Sequence, residues 1–88
     1  PAFAADAVEV TIGDLAYAPA RIKVHVGDIV KFENRDFIDH TATAERSGFD
    51  LEIAAQGSAS TTMREAGTFR YICRYHPNMT GEIDVTDK

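Results

Sequence analysis

The chain has 88 residues, with 9 basic and 14 acidic side chains, a formal net charge of −5 and a hydrophobic fraction of 44%. That length makes one small domain, at the lower end of what a single apolar core stabilises, and no apolar tract is long enough to span a membrane. The acidic balance excludes a nucleic-acid binder and suits electrostatic steering towards a basic protein partner.

In chain order, Ala2-Phe3-Ala4 followed by Ala5-Asp6 has the small-x-small look of a signal-peptidase site. Residues 1–7 are therefore expected to be a flexible N-terminal segment carrying an export-signal remnant, and 8–88 a single domain. Val8-Glu9-Val10-Thr11-Ile12 alternates apolar and polar side chains, as does Arg21-Ile22-Lys23-Val24-His25-Val26, and both predict half-buried strands. His25 falls on the polar face with Lys23 and reads as a solvated strand histidine. Gly27-Asp28 predicts a tight turn into Ile29–Asn34, with Val30 and Phe32 on one face, the pattern of a hairpin. His40 to Glu45 predicts a short strand, and Arg46 to Gly57, which has no two-residue period, a loop with one irregular turn. Ser58 to Met63 predicts another strand. Gly67 to Arg74 is longer, with Phe69, Tyr71 and Cys73 pointing the same way, and Gly81 to Val85 closes the chain. Seven or so short strands punctuated by Gly, Pro, Asn and Asp predict an all-β, antiparallel sandwich. There are no internal repeats or low-complexity tracts.

Cys73 is the only cysteine, so no internal disulfide is available to it. It opens Cys73-Arg74-Tyr75-His76-Pro77-Asn78-Met79, which sets a thiolate, an imidazole and a thioether at intervals of three residues. A mononuclear electron-transfer copper site uses two imidazole nitrogens and a thiolate in a near-trigonal plane, with a methionine sulfur as a long axial ligand. His40 is the candidate for the second imidazole. Zinc competes for Cys and His, but structural zinc sites close with four Cys or His ligands and rarely take a thioether, a soft donor that suits copper. A dinuclear copper site needs two cysteines and is excluded by count. Alternation places Cys73 inward at the end of its strand, with His76 and Met79 on the following loop. If His40 lies at the same pole, His40, Cys73, His76 and Met79 converge on one ion, and a rigid β framework fixes their distances.

A site that barely moves between oxidation states passes one electron without chemistry on a substrate, which makes an electron shuttle the leading reading. The alternative is a copper carrier or chaperone using the same donors, although such a protein favours an exposed, Met- or His-rich site and only two methionines occur, with Met63 far from the cluster in sequence. Three histidines do not suffice for a type 1 site plus a catalytic copper centre, so the chain is not read as an enzyme. A metal-free interaction module is the remaining possibility. His76 is expected nearest the surface, ringed by Pro77, Ile38, Phe37 and Ala18 or Pro19, an apolar edge suited to the small interfaces of transient redox complexes.

The segments Gly27-Asp28 to Asn34-Arg35, His40, and Gly67-Thr68-Phe69-Arg70-Tyr71-Ile72-Cys73 through Met79-Thr80-Gly81 resemble the cupredoxins, the type 1 blue copper proteins. The short Cys73-x2-His76-x2-Met79 loop is similar to that of the amicyanin group among the amicyanin- and plastocyanin-like members, as is Tyr17-Ala18-Pro19. The resemblance runs from about Val8 to Val85. It implies a Greek-key β-sandwich of seven to eight strands and one type 1 copper ion cycling between Cu(I) and Cu(II). It also implies a monomeric periplasmic carrier that docks redox partners (a dehydrogenase, a cytochrome c or a reductase) near His76. Many cupredoxins carry Pro before and Asn after the first ligand His, the Asn tying the two ligand loops together. Here Asp39 and Thr41 flank His40, so the Thr41 hydroxyl is the available brace, its backbone N–H the donor to the Cys73 sulfur, and a shifted potential the expected result. Asp39 itself reads as a solvated loop carboxylate.

Overall fold

The computed structural model describes residues 6–87, and the expected export remnant at Ala2 to Ala5 lies outside the described residues. Nine strands follow one another: β1 (Ala7–Gly13), β2 (Ala16–Ala18), β3 (Arg21–His25), β4 (Ile29–Asn34), β5 (His40–Ala44), β6 (Asp50–Ile53), β7 (Ser58–Thr62), β8 (Gly67–Cys73) and β9 (His76–Thr86). They form a four-stranded sheet in the order β2-β1-β4-β7 and a five-stranded sheet in the order β3-β9-β8-β5-β6. The alternation read from the sequence is the burial pattern: Val10 and Ile12 of β1 and Val30 and Phe32 of β4 face Ile22 and Val24 of β3, Tyr71 and Cys73 of β8, and Ile83 and Val85 of β9 in one core. Tyr71 is its centre, with the rings of Tyr17, Phe32 and Phe49 at 4.6, 5.4 and 5.8 Å in edge or tilted contact.

The all-β sandwich is therefore as expected, with several differences in detail. The hairpin expected at Gly27-Asp28 does not form: β3 pairs in parallel with β9, and β4 in parallel with β1, so the chain crosses between sheets at this turn. Alternation marks which face of each strand is apolar, and two such faces meet across a core as readily as they share a sheet. The crossing is held by Asp28, whose carboxylate accepts the His25 N–H at 2.8 Å, and by Gly27 at φ 98°, whose N–H donates to the Met63 carbonyl at 2.7 Å. Each sheet thus contains one parallel pair among antiparallel ones. The stretch expected as an irregular loop contains β6, which pairs antiparallel with β5 at the sheet edge; Ile53 is buried but Asp50 and Glu52 are exposed, so its apolar signal is weak. β1 begins at Ala7, inside the segment expected as a tail, and β9 begins at His76, inside the expected ligand loop.

Candidate metal centre

His40 opens β5, Cys73 closes β8 and His76 opens β9, and the antiparallel pairing of β5 with β8 and of β8 with β9 brings these three ends together. Cys73 stands directly opposite His76 across a two-residue turn, Arg74-Tyr75, and the ladder shifts register between Ile72 and Cys73. Such an irregularity re-aims a side chain at the end of a strand. His40 and Cys73 are fully buried, while His76 is half-buried.

The donor atoms of His40, Cys73 and His76 all lie within 4.8 Å of one another. Cys73 Sγ is 3.6 Å from His40 Nδ1 and 3.8 Å from His76 Nδ1, and the two imidazole rings are tilted at 60° with centroids 5.2 Å apart. Metal–nitrogen and metal–thiolate bonds of ~2.0 and ~2.3 Å at a trigonal angle separate sulfur from nitrogen by about 3.7 Å, so these spacings suit one ion between the three donors. Met79, three residues beyond His76 on β9, is buried, and it is the thioether that the sequence assigned to the site. Two imidazoles, a thiolate and a thioether are a softer set than zinc or a hard cation selects, and they match copper.

The Thr41 brace forms as expected. Its backbone N–H donates to Cys73 Sγ at 3.4 Å, and its hydroxyl accepts the Arg74 N–H at 2.9 Å and the Thr43 hydroxyl at 3.0 Å. The Tyr17 hydroxyl donates to the Thr41 carbonyl at 2.5 Å, tying this strand end to the other sheet. Burial pushes the Cys73 thiol up, but the Thr41 N–H, the His76 and His40 imidazoles and the Tyr75 N–H outweigh it and bring the thiol down to about 6. The site therefore favours the thiolate, the form that binds metal.

Sequence reasoning missed Asp36. Its Oδ2 lies 2.8 Å from His40 Nε2, on the ring edge away from the sulfur. Partial burial works to raise the Asp36 carboxyl, but the contact with His40 and the N–H groups of Leu15 and Asp14 hold it below the ordinary carboxylate value. Asp39, the flanking acid, turns away and accepts the Ala55 N–H at 2.9 Å. Only the path of the loop decides which of the two reaches the ring; the one available signal was a carboxylate four residues before a candidate ligand. His25, as expected, takes no part: it is exposed and lies 3.7 Å from Asp28.

Around His76 the surface is apolar. Leu15 borders two shallow depressions, one with Phe37 and Ile38 and one with Tyr75, His76, Pro77 and Met79. Phe37 is 87% exposed, and Leu15, Ile38 and Tyr75 are about half exposed. Phe37, Ile38 and Pro77 are where the sequence put them; Leu15 was not foreseen, and Ala18 and Pro19 line neither depression. A larger cleft of about 600 Å³, lined by residues that include Phe49, Met63, Arg64 and Phe69, contains none of the four donors. Among the described residues no helix is long and apolar enough to cross a membrane.

The cupredoxin-like domain family matches residues 1–85. Among curated proteins, the amicyanin of Paracoccus versutus is 32% identical across 92% of this chain and 66% of its own length, and that of Paracoccus denitrificans is 34% identical across 90% of this chain and 65% of its own length. The chain thus spans just under two thirds of these relatives. Solved structures agree: a Cu(I) form of an amicyanin variant superposes with a TM-score of 0.83 at 29% identity, over 94% of this chain and 85% of that one. The oxidised state of another amicyanin variant gives 0.82 at 29% identity over 90% and 81%. With the fold, the converging donors and these matches in agreement, the chain belongs to the cupredoxin-like family.

Proposed function

We propose that the chain is a periplasmic one-electron carrier that holds a single type 1 copper ion with His40, Cys73, His76 and Met79 and shuttles electrons between redox proteins. The observation that carries this reading is the convergence of three donor atoms within 4.8 Å, with the sulfur already held by the Thr41 N–H. Copper bound there supplies a one-electron couple and no chemistry on a substrate. Cys73 offers a thiolate, and the Thr41 hydroxyl fastens the β8–β9 turn to β5, so the donors keep their spacing. Burial of His40 and Cys73 excludes water, and the half-buried His76 is the donor of these three that reaches the surface.

The apolar face of Leu15, Phe37, Ile38, Tyr75 and Pro77 beside His76 is the docking site in this reading, suited to a dehydrogenase, a cytochrome c or a reductase that binds briefly through a small interface. The likeness to amicyanins supports the electron-carrier role and the periplasmic location, and offers no support for an enzyme. The same burial disfavours a copper chaperone, which needs its donors within reach of an acceptor.

Addition of copper(II) should produce an intense blue or green thiolate-to-copper charge-transfer band that is lost in Cys73→Ser, and a colourless product refutes the reading. A fast, reversible voltammogram then separates a shuttle from a metal carrier.

A further inference from the structure

We propose that the apolar face beside His76 works together with an acidic rim, so that the partner it fits is a redox protein whose own apolar docking face is ringed by lysines and arginines. The proposal rests on the reading of that face as the docking site. Exposed apolar area holds a partner but does not choose one, whereas the charges bordering it set which partner approaches and in what orientation. On one flank, Asp14 and Asp36 line the depression formed with Leu15, Phe37 and Ile38. On the other, Glu52 accepts the Tyr75 hydroxyl, and the charge of Asp39, the neighbour of Ile38, acts on the same Tyr75 side chain. Asp14, Asp39 and Glu52 are exposed, so their charges face solvent around the apolar centre.

The basic groups are distributed the other way. Arg74, next to Tyr75, is held between two carboxylates, 3.3 Å from Asp50 and 3.5 Å from Glu52, so it offsets the rim without presenting a free charge. Arg35 is the exposed cation beside Asp36. Arg46, Arg64 and Arg70, with Glu45 and Glu65, line two other depressions that contain none of the four donors. Five carboxylates thus stand against two arginines around the His76 face, while arginines outnumber acids in those other depressions. Such a gradient turns the His76 end of the molecule towards a positive surface during encounter and repels a negative one.

The probe is a c-type cytochrome whose exposed haem edge is ringed by lysines, with the same cytochrome succinylated at those lysines as its negative counterpart. One electron passes from the copper(I) form to haem iron(III), giving copper(II) and iron(II) with no proton or bond exchanged. Stopped-flow rates with the basic cytochrome should fall at least about tenfold between low salt and about 0.5 M salt, and at low salt should exceed those of the succinylated form. Asp14→Asn, Asp39→Asn and Glu52→Gln each remove one charge with little change of shape, and each should slow the low-salt reaction by about 1.5–5-fold. Glu65→Gln, in the distant cleft, should leave the rate at the wild-type value. A rate that does not fall with salt, a faster reaction with the succinylated cytochrome, or an equal loss in Glu65→Gln and Glu52→Gln overturns the proposal, the last because net charge alone would then steer. The metal-free protein gives a second readout. Amide shifts on titration with the basic cytochrome should cluster at Leu15, Phe37, Ile38 and Tyr75 and vanish at high salt, and shifts centred elsewhere overturn the proposal as well. A protein that takes up no copper defeats the electron-carrier reading by its missing colour, separately from these shifts.

Discussion

Replacing Thr41 by Val isolates the brace between the two halves of the metal centre. The substitution keeps the side-chain shape and the backbone N–H that meets Cys73 Sγ, and it removes the hydroxyl that accepts the Arg74 N–H at 2.9 Å. Thr43 loses one partner but retains the Asp50 carboxylate at 2.8 Å, so the main effect falls on Arg74. Leaving a buried donor without an acceptor costs about 1–3 kcal/mol, and because the Arg74 N–H is only partly buried the lower half of that range, about 1–2 kcal/mol, applies. For a domain of this size each kcal/mol moves the melting temperature by about 4–8 °C, so Thr41→Val should melt roughly 4–16 °C below wild type. Thr41→Ser keeps the hydroxyl and should recover most of that loss. Thermal unfolding of the metal-free protein followed by circular dichroism makes the measurement without interference from copper. The brace argument fails if Thr41→Val melts with wild type, or if Thr41→Ser loses as much as Thr41→Val.

Gly81 stands opposite Tyr71 in the β8–β9 ladder, and a Cβ there would overlap the Tyr71 ring, which is locked among three other aromatics. Gly81→Ala should therefore destabilise by about 1–3 kcal/mol in urea titrations, and an unchanged midpoint contradicts this packing. The Tyr71 hydroxyl is the one buried side-chain polar atom without a hydrogen-bond partner among the described residues. Tyr71→Phe removes it, so the same titration should show a gain of about 1 kcal/mol, whereas a loss of that size would mean the hydroxyl is satisfied. Copper that binds only the folded chain should add about 4 kcal/mol of stability when its free concentration is a thousandfold above the dissociation constant. Scanning calorimetry before and after chelation measures the difference, and equal melting temperatures exclude a preformed site.

The residues that locate the chemistry were legible in order along the chain. Cys73 and His76 stand at a spacing that a tight strand turn sets face to face, and alternation in β1, β3, β4 and β8 marked Val10, Val24, Phe32 and Tyr71 as core. The Thr41 brace was readable too, because adjacency to His40 leaves its N–H and hydroxyl near the ligand strand. β6 was not readable, since an edge strand with Ile53 buried and Asp50 and Glu52 exposed carries too little apolar signal.

What the sequence by itself determined is thus local: the period of two that decides which face of a strand is buried, and the short interval that carries Cys73 into His76. Tertiary structure alone decided that β3 and β4 part into different sheets, that His40 meets Cys73 across 33 positions of chain, and that Asp36 rather than Asp39 reaches the outer edge of the His40 ring. The physical reason is that side-chain periodicity encodes burial, whereas the choice of partner strand and the path of a loop follow from packing the whole core and satisfying its buried polar groups at once.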